Sequence, residues 1–146
     1  MCSNYNLSAG RYEFEGYGIE MQDAFQDISK RFYPKDNAPV FVLNIQKSPR
    51  MVGMSFSLIP SWSKEPKVKF ATHNARIETV LEKPTWRTPF LKQHCIVPMS
   101  GFYESVREGD YSGHVIQFKP KVTKILFAAG IFDVWSNPES KEKLYS

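Results

Sequence analysis

Cysteine at position two carries chemistry that a cysteine elsewhere in a chain does not. Its side chain is small enough for the initiator methionine to be trimmed, and loss of Met1 leaves a free α-amine and a thiol on one residue, Cys2. The reference pKa is about 7.7–8.0 for an α-amine and about 8.5 for a thiol, so both groups have reactive fractions near neutrality. The amine can condense with an aldehyde to a Schiff base, and the thiolate can then close a five-membered thiazolidine ring. The same thiolate can instead attack an acyl carbon, as in a peptidase or amidase. The plain alternative is a frayed terminus with an incidental cysteine.

Two further clusters offer polar groups. In Thr72-His73-Asn74-Ala75-Arg76-Ile77-Glu78-Thr79, Asn74 has donors and an acceptor, and Arg76 has a planar fork suited to phosphate. A helix N-terminus capped by Thr72 or Asn74 explains that segment equally well. In Pro98-Met99-Ser100-Gly101-Phe102-Tyr103-Glu104, proline and glycine bracket a tight passage before two aromatics and a carboxylate. A glutamate among apolar neighbours has a raised pKa and can move protons; an exposed strand glutamate is the bland reading. His73, His94 and His114 have no metal-ligand spacing with Cys2 or Cys95, and Cys95 within Cys95-Ile96-Val97 reads as a core residue. No glycine-rich phosphate loop, G-x-S-x-G or zinc motif is present. No cofactor and no metal is expected.

The net charge of +4 is unevenly spread. Residues 64–92 hold Lys64, Lys67, Lys69, Arg76, Lys83, Arg87 and Lys92 against Glu65, Glu78 and Glu82, so the whole excess lies there. Trp62, Phe70, Trp86 and Phe90 are interleaved with these cations. Cations for phosphates and flat faces for bases are what a nucleic-acid surface needs, although a lysine-rich solvated face gives the same count.

These residues must be positioned by one domain's worth of chain. The sequence has 146 residues, 42% apolar, 23% charged and 14% aromatic, which excludes disorder and coiled-coil or collagen-like composition. No apolar run reaches the roughly 20 residues of a membrane span, and no signal peptide is seen. Two cysteines make no disulfide framework, so a reducing, cytoplasmic setting is expected, nucleoid-associated in a bacterium. Met21, Phe25, Ile28 and Phe32 are spaced as one helix face, which predicts a helix over 21–32 ended by Pro34. Strands are predicted over 40–45 and 51–59, with Met51, Gly53, Ser55 and Ser57 on one face and Val52, Met54, Phe56 and Leu58 on the other. Ile59-Pro60-Ser61-Trp62 breaks the second strand and a loop runs to about residue 70. Short helices follow over 75–81 and 84–92, then strands at 94–98, from 101, at 115–118 and over 125–135. No repeating βαβ rhythm is present, so the expected class is α+β with a largely antiparallel sheet. Ser136-Asn137-Pro138-Glu139 signals a turn, but no hairpin partner is read in the residues after it, which suggests a fragment of a longer domain.

Met1-Cys2, Leu58-Ile59-Pro60-Ser61-Trp62, Asn74-Ala75-Arg76-Ile77-Glu78-Thr79 and Pro98-Met99-Ser100-Gly101-Phe102-Tyr103-Glu104 occur in that order. Together they resemble the SOS-response-associated peptidase (SRAP) family, and Phe127-Ala128-Ala129-Gly130-Ile131-Phe132-Asp133-Val134-Trp135 resembles a later strand of it. The resemblance implies a barrel-like antiparallel sheet with a few short helices, forming a single domain over 1–146 that lacks its C-terminal part. It also implies recognition of abasic sites in single-stranded DNA and a covalent thiazolidine crosslink through Cys2, with autoproteolytic trimming of the N-terminus. Asn74 would orient the sugar, Glu104 would transfer protons, Arg76 would hold phosphate and Trp62 would stack at the groove, with Lys64, Lys67 and Lys69 adding cations. No membrane partner is implied.

The sequence departs from the family in several places. Ser3 and Asn4 stand where the family has Gly-Arg, so an arginine that grips the DNA backbone is lacking. Phe56-Ser57 replaces Trp-Gly, and Glu104-Ser105 replaces Glu-Trp. The family's catalytic histidine segment lies further along than Ser146, which implies impaired ring opening and crosslink reversal. Crosslinking itself can survive, because the aminothiol performs the addition. A cysteine peptidase or amidohydrolase using Cys2, and a non-catalytic single-stranded DNA-binding module, are the alternative readings.

Overall fold

The computed structural model describes residues 3–19, 21 and 25–146. The elements run β1 (Asn4–Gly10), α1 (Tyr12–Glu15), β2 (Asp27–Phe32), β3 (Asn37–Leu43), β4 (Pro49–Ser55), α2 (Pro84–Lys92), β5 (His94–Met99), β6 (Gly101–Ser105), β7 (Val115–Phe118), β8 (Leu126–Ile131), β9 (Val134–Ser136) and β10 (Lys143–Tyr145). Among the described residues the strands form one sheet in the order β2-β1-β6-β7, a second in the order β4-β3-β5-β8, and the small ribbon β10-β9. All the pairings are antiparallel, as the expected α+β class requires.

Alternation along the strands builds the core. Tyr5, Leu7 and Ala9 of β1 and Phe32 of β2 are buried together with Phe41, Met51 and Met99 of the second sheet. Each partner strand thus contributes one apolar face. Tyr5 stacks on Phe32 with centroids 5.2 Å apart, and Phe14 from α1 meets Phe41 edge-on at 5.3 Å. The opposite face of the second sheet carries a smaller cluster of Val40, Met54 and Cys95. Met51 and Met54 therefore serve different cores, as the predicted alternation of the strand after residue 50 requires.

The chain crosses between the sheets at Ser100. β5 ends at Met99 in one sheet and β6 starts at Gly101 in the other. Ser100 fixes that corner to β1: its N–H donates to the Asn6 carbonyl at 2.8 Å, and its Oγ accepts from the Ser8 N–H at 2.8 Å. A Cβ on Gly101 would lie 2.6 Å from the Phe118 carbonyl oxygen. The Pro98-to-Glu104 passage is thus tight because it is a sheet-to-sheet corner with no room for a side chain at its hinge.

Three expectations are corrected. The helix predicted over 21–32 is instead the strand β2 over its last six residues. Residues 22–24 lie outside those described. Ile28 and Phe32 do share a face, opposite Ala9 and Tyr5, but Lys30 stands between them opposite Leu7 and hides the alternation. Its Nζ sits 5.1 Å from the centroid of the Phe32 ring and reaches Asp36 at 3.6 Å. The helix predicted over 75–81 is a run of turns, with Thr79 N–H donating to Arg76 O and Glu82 N–H to Thr79 O. Ile77, Thr79 and Val80 are β-branched and disfavour a helix that tertiary packing does not demand. Finally, the turn after Ser136 does have a partner: β10 pairs with β9 through Lys143↔Ser136, Leu144↔Trp135 and Tyr145↔Val134. The strand read over 125–135 is accordingly two strands, β8 and β9, and β8 ends its sheet among the described residues. The helix over 84–92 forms as expected, with Pro84 in its first turn.

Candidate functional site

The residues from Leu58 to Ser63 form an anchored loop with an exposed tip. Leu58, Ile59 and Pro60 are buried. Leu58 N–H donates to the Thr72 carbonyl at 3.1 Å, Ile59 N–H to Ser146 Oγ at 2.7 Å, and Ser61 N–H to Asp133 Oδ2 at 2.7 Å. The Trp135 indole N–H closes the far end on the Ser63 carbonyl at 2.8 Å. Trp62, between these clamps, remains 59% exposed. The indole is thus presented to solvent on a backbone whose amides are fixed on both sides.

Asp133 is the centre of this arrangement and sequence reasoning missed it. Only 5% exposed, its carboxylate accepts from Ser61 N–H, from Val134 N–H at 2.8 Å and from Gln93 Nε2 at 3.1 Å. Its own backbone exchanges two hydrogen bonds with Ser146. A buried carboxylate is tolerable only with such donors. The available signal was an acid embedded in Phe132-Asp133-Val134-Trp135, where an apolar run demands that the charge be satisfied.

The Leu58–Thr72 bond brings the Asn74 segment against the same region. Asn74 and His73 line a cavity of about 520 Å³ together with Phe56, Phe102, Trp86 and Cys95. Thr72, also in its wall, is buried, and its Oγ1 has no hydrogen-bond partner among the described residues. With no helix over 75–81, neither Thr72 nor Asn74 is an N-cap. Glu104 is half-buried in β6 opposite Ile116. By strand alternation it shares a face with Phe102, the residue that lines the cavity two positions earlier. Arg76 is exposed. Cys2 lies outside the described residues.

The basic stretch divides. Lys64, Lys67 and Lys69 are exposed on the loop after Trp62, with Phe70 54% exposed beside them. Lys67 pairs with Glu65 at 3.2 Å, both side chains well exposed. Trp86 and Phe90 are not surface aromatics: they face the cavity from α2. The histidines are occupied locally. His94 Nε2 donates to the Phe90 carbonyl at 2.6 Å, His114 Nδ1 donates to Tyr111 O at 3.2 Å, and His73 meets Phe56 edge-on. Cys95 is a core thiol, as expected, and burial pushes its pKa up to about 11.

The chain resembles proteins of known families. It is 33% identical over 145 residues to the abasic site processing protein YoqW of Bacillus subtilis, covering 95% of this chain and 63% of that protein. It is 30% identical over 140 residues to the abasic site processing protein HMCES of Xenopus tropicalis, covering 77% of this chain and 42% of that one. The chain thus spans less than two thirds of the length of these relatives. A crystal structure of a Bacteroides thetaiotaomicron protein superposes with a TM-score of 0.78 at 26% identity, over 99% of this chain and 65% of that one. A Bordetella bronchiseptica protein shares the fold at a TM-score of 0.80 and 23% identity, over 99% and 69% of the two chains. The family described as SOS response associated peptidase (SRAP) matches residues 1–146, and the chain belongs to that family.

Proposed function

We propose that this chain processes abasic sites in single-stranded DNA by forming a covalent crosslink through Cys2. The observation that carries the reading is the match over residues 1–146 to a family whose similar members are named abasic site processing proteins. After loss of Met1, the Cys2 amine attacks the aldehyde of the ring-opened sugar, and one water leaves as the imine forms. The thiolate then adds to the imine carbon, and the nitrogen takes a proton to complete the thiazolidine. Asn74 orients the sugar and Glu104 carries the protons of imine formation. Arg76, Lys64, Lys67 and Lys69 hold the backbone, and Trp62 supplies a stacking face.

The mass of the protein, alone and after incubation with an abasic oligonucleotide, tests this. The expected product is one protein plus one oligonucleotide less one water, stable to heat. Cys2→Ala should abolish it, and Cys2→Ser should leave at most a reversible imine. An unchanged adduct in Cys2→Ala overturns the proposal. Self-cleavage or peptide turnover without an adduct would select the peptidase reading, which the family's description favours. Salt-sensitive binding with neither product would select a non-catalytic binding module.

A further inference from the structure

A guanidinium outside the basic stretch is built into the other sheet. Arg31 of β2 lies on the face that carries Asn4 and Tyr103, reached through the pairings Asn6↔Arg31 and Asn4↔Tyr103. Its Cζ sits 3.7 Å from the centroid of the Tyr103 ring and 5.5 Å from that of Tyr33. Its Nε donates to Asn4 Oδ1 at 2.7 Å. The Tyr103 ring is held in turn, its hydroxyl accepting from Gln117 Nε2 at 2.8 Å. Arg31 is exposed, and among the described residues it forms no ion pair. One of its five N–H donors is therefore committed to Asn4, and the plane of the fork is fixed by aromatic stacking. Tyr33 beside it is 49% exposed.

We infer that Arg31 binds a phosphodiester of single-stranded DNA, an inference that rests on the function proposed above. A planar cation with unspent donors and no acid paired with it among the described residues is matched by a tetrahedral oxyanion. Its surroundings adjoin the proposed nucleophile in the chain, Asn4 being two residues from Cys2. Asn4 serves as the acceptor that orients an arginine from the neighbouring strand. The side-chain hydrogen bond between them means that the two positions present a single cation.

The test is equilibrium binding of the full chain to an intact, unmodified single-stranded oligonucleotide across a salt series, so that no covalent step enters. Arg31→Gln keeps an N–H for Asn4 and a flat group over Tyr103 while removing the charge, and so keeps the fold. It should weaken binding about tenfold and lower the slope of log affinity against log salt by about 0.7. Arg31→Lys should restore the slope. Lys30→Ala is the control, because Lys30 is on the opposite face and paired with Asp36; its slope should match that of the unaltered chain. An unchanged slope in Arg31→Gln, or an equal loss in Lys30→Ala, overturns the inference and leaves the proposed function intact. Absence of salt-dependent binding by the unaltered chain overturns both.

Discussion

Cys95 lies against Val40 and Met54, and Gly130 of the adjacent strand leaves just enough room for its sulfur, since a Cβ there would lie 2.7 Å from it. Desolvation of the thiolate is what raises its pKa to about 11. In the unfolded chain the thiol ionises at its ordinary value of about 8.5. Stability associated with the neutral thiol is therefore complete below about pH 8 and is lost as pH rises towards 11, by up to about 3 kcal/mol. Urea unfolding of Cys95→Ala between pH 8 and 11 should show a shallower alkaline decline than the unaltered chain. A thiol reagent at pH 8 should leave Cys95 unmodified until the protein is unfolded, which peptide mapping can read directly. Gly101 is the second position where one atom decides. A methyl group at 2.6 Å from a backbone oxygen must displace either the Ser100 corner or β7. Gly101→Ala should cost about 1–3 kcal/mol, seen as a lower urea midpoint with an unchanged slope.

At the scale of elements, the Asp133 cluster couples three separate pieces of chain: the Trp62 loop, the end of α2 through Gln93, and the ribbon β9-β10 with Ser146. In Asp133→Asn, the amide oxygen still accepts from Val134 N–H and Gln93 Nε2, but the other side turns an NH₂ towards the Ser61 N–H. A buried donor then loses its acceptor, which costs about 1–3 kcal/mol. Amide exchange should accelerate first at Ser61, while the β3 and β5 amides stay protected. Equal acceleration everywhere would show that Asp133 holds the whole fold rather than the loop. This cluster also marks where the sequence stops being legible. The strands β3 to β8 and α2 follow from alternation, proline placement and the Pro-Gly bracket. β2 was hidden because Lys30 occupies an inward position, and β10 because Lys143, Leu144 and Tyr145 hold a single buried-side residue between a lysine and a half-exposed tyrosine. The motif residues were named from their types, but Asn74 and Glu104 are related through Phe102 and the cavity wall, a relation set by pairing across the sheets. No spacing within one segment encodes it.

For the whole molecule, the excess positive charge and the exposed aromatics have separate structural backing, and their contributions to DNA binding should separate too. Lys64, Lys67 and Lys69 are exposed on a loop, and the ion pair formed there among the described residues, Lys67–Glu65, is solvent-screened. Reversing all three lysines to glutamate should therefore leave the urea midpoint within about 0.5 kcal/mol of the original. The same change should sharply lower affinity for single-stranded DNA and flatten its salt dependence, because the released counterions are what the lysines contribute. Trp62 sits between the Ser61 N–H held by Asp133 and the Ser63 carbonyl held by the Trp135 indole, with its ring 59% exposed. Trp62→Ala should weaken binding by about 1–3 kcal/mol through lost stacking, with the salt slope preserved. Anisotropy titrations of both variants over the same salt series decide the matter. If Trp62→Ala alters the slope, or the lysine reversal does not, then the loop from Trp62 to Phe70 is a solvated face and the DNA path lies elsewhere on the molecule.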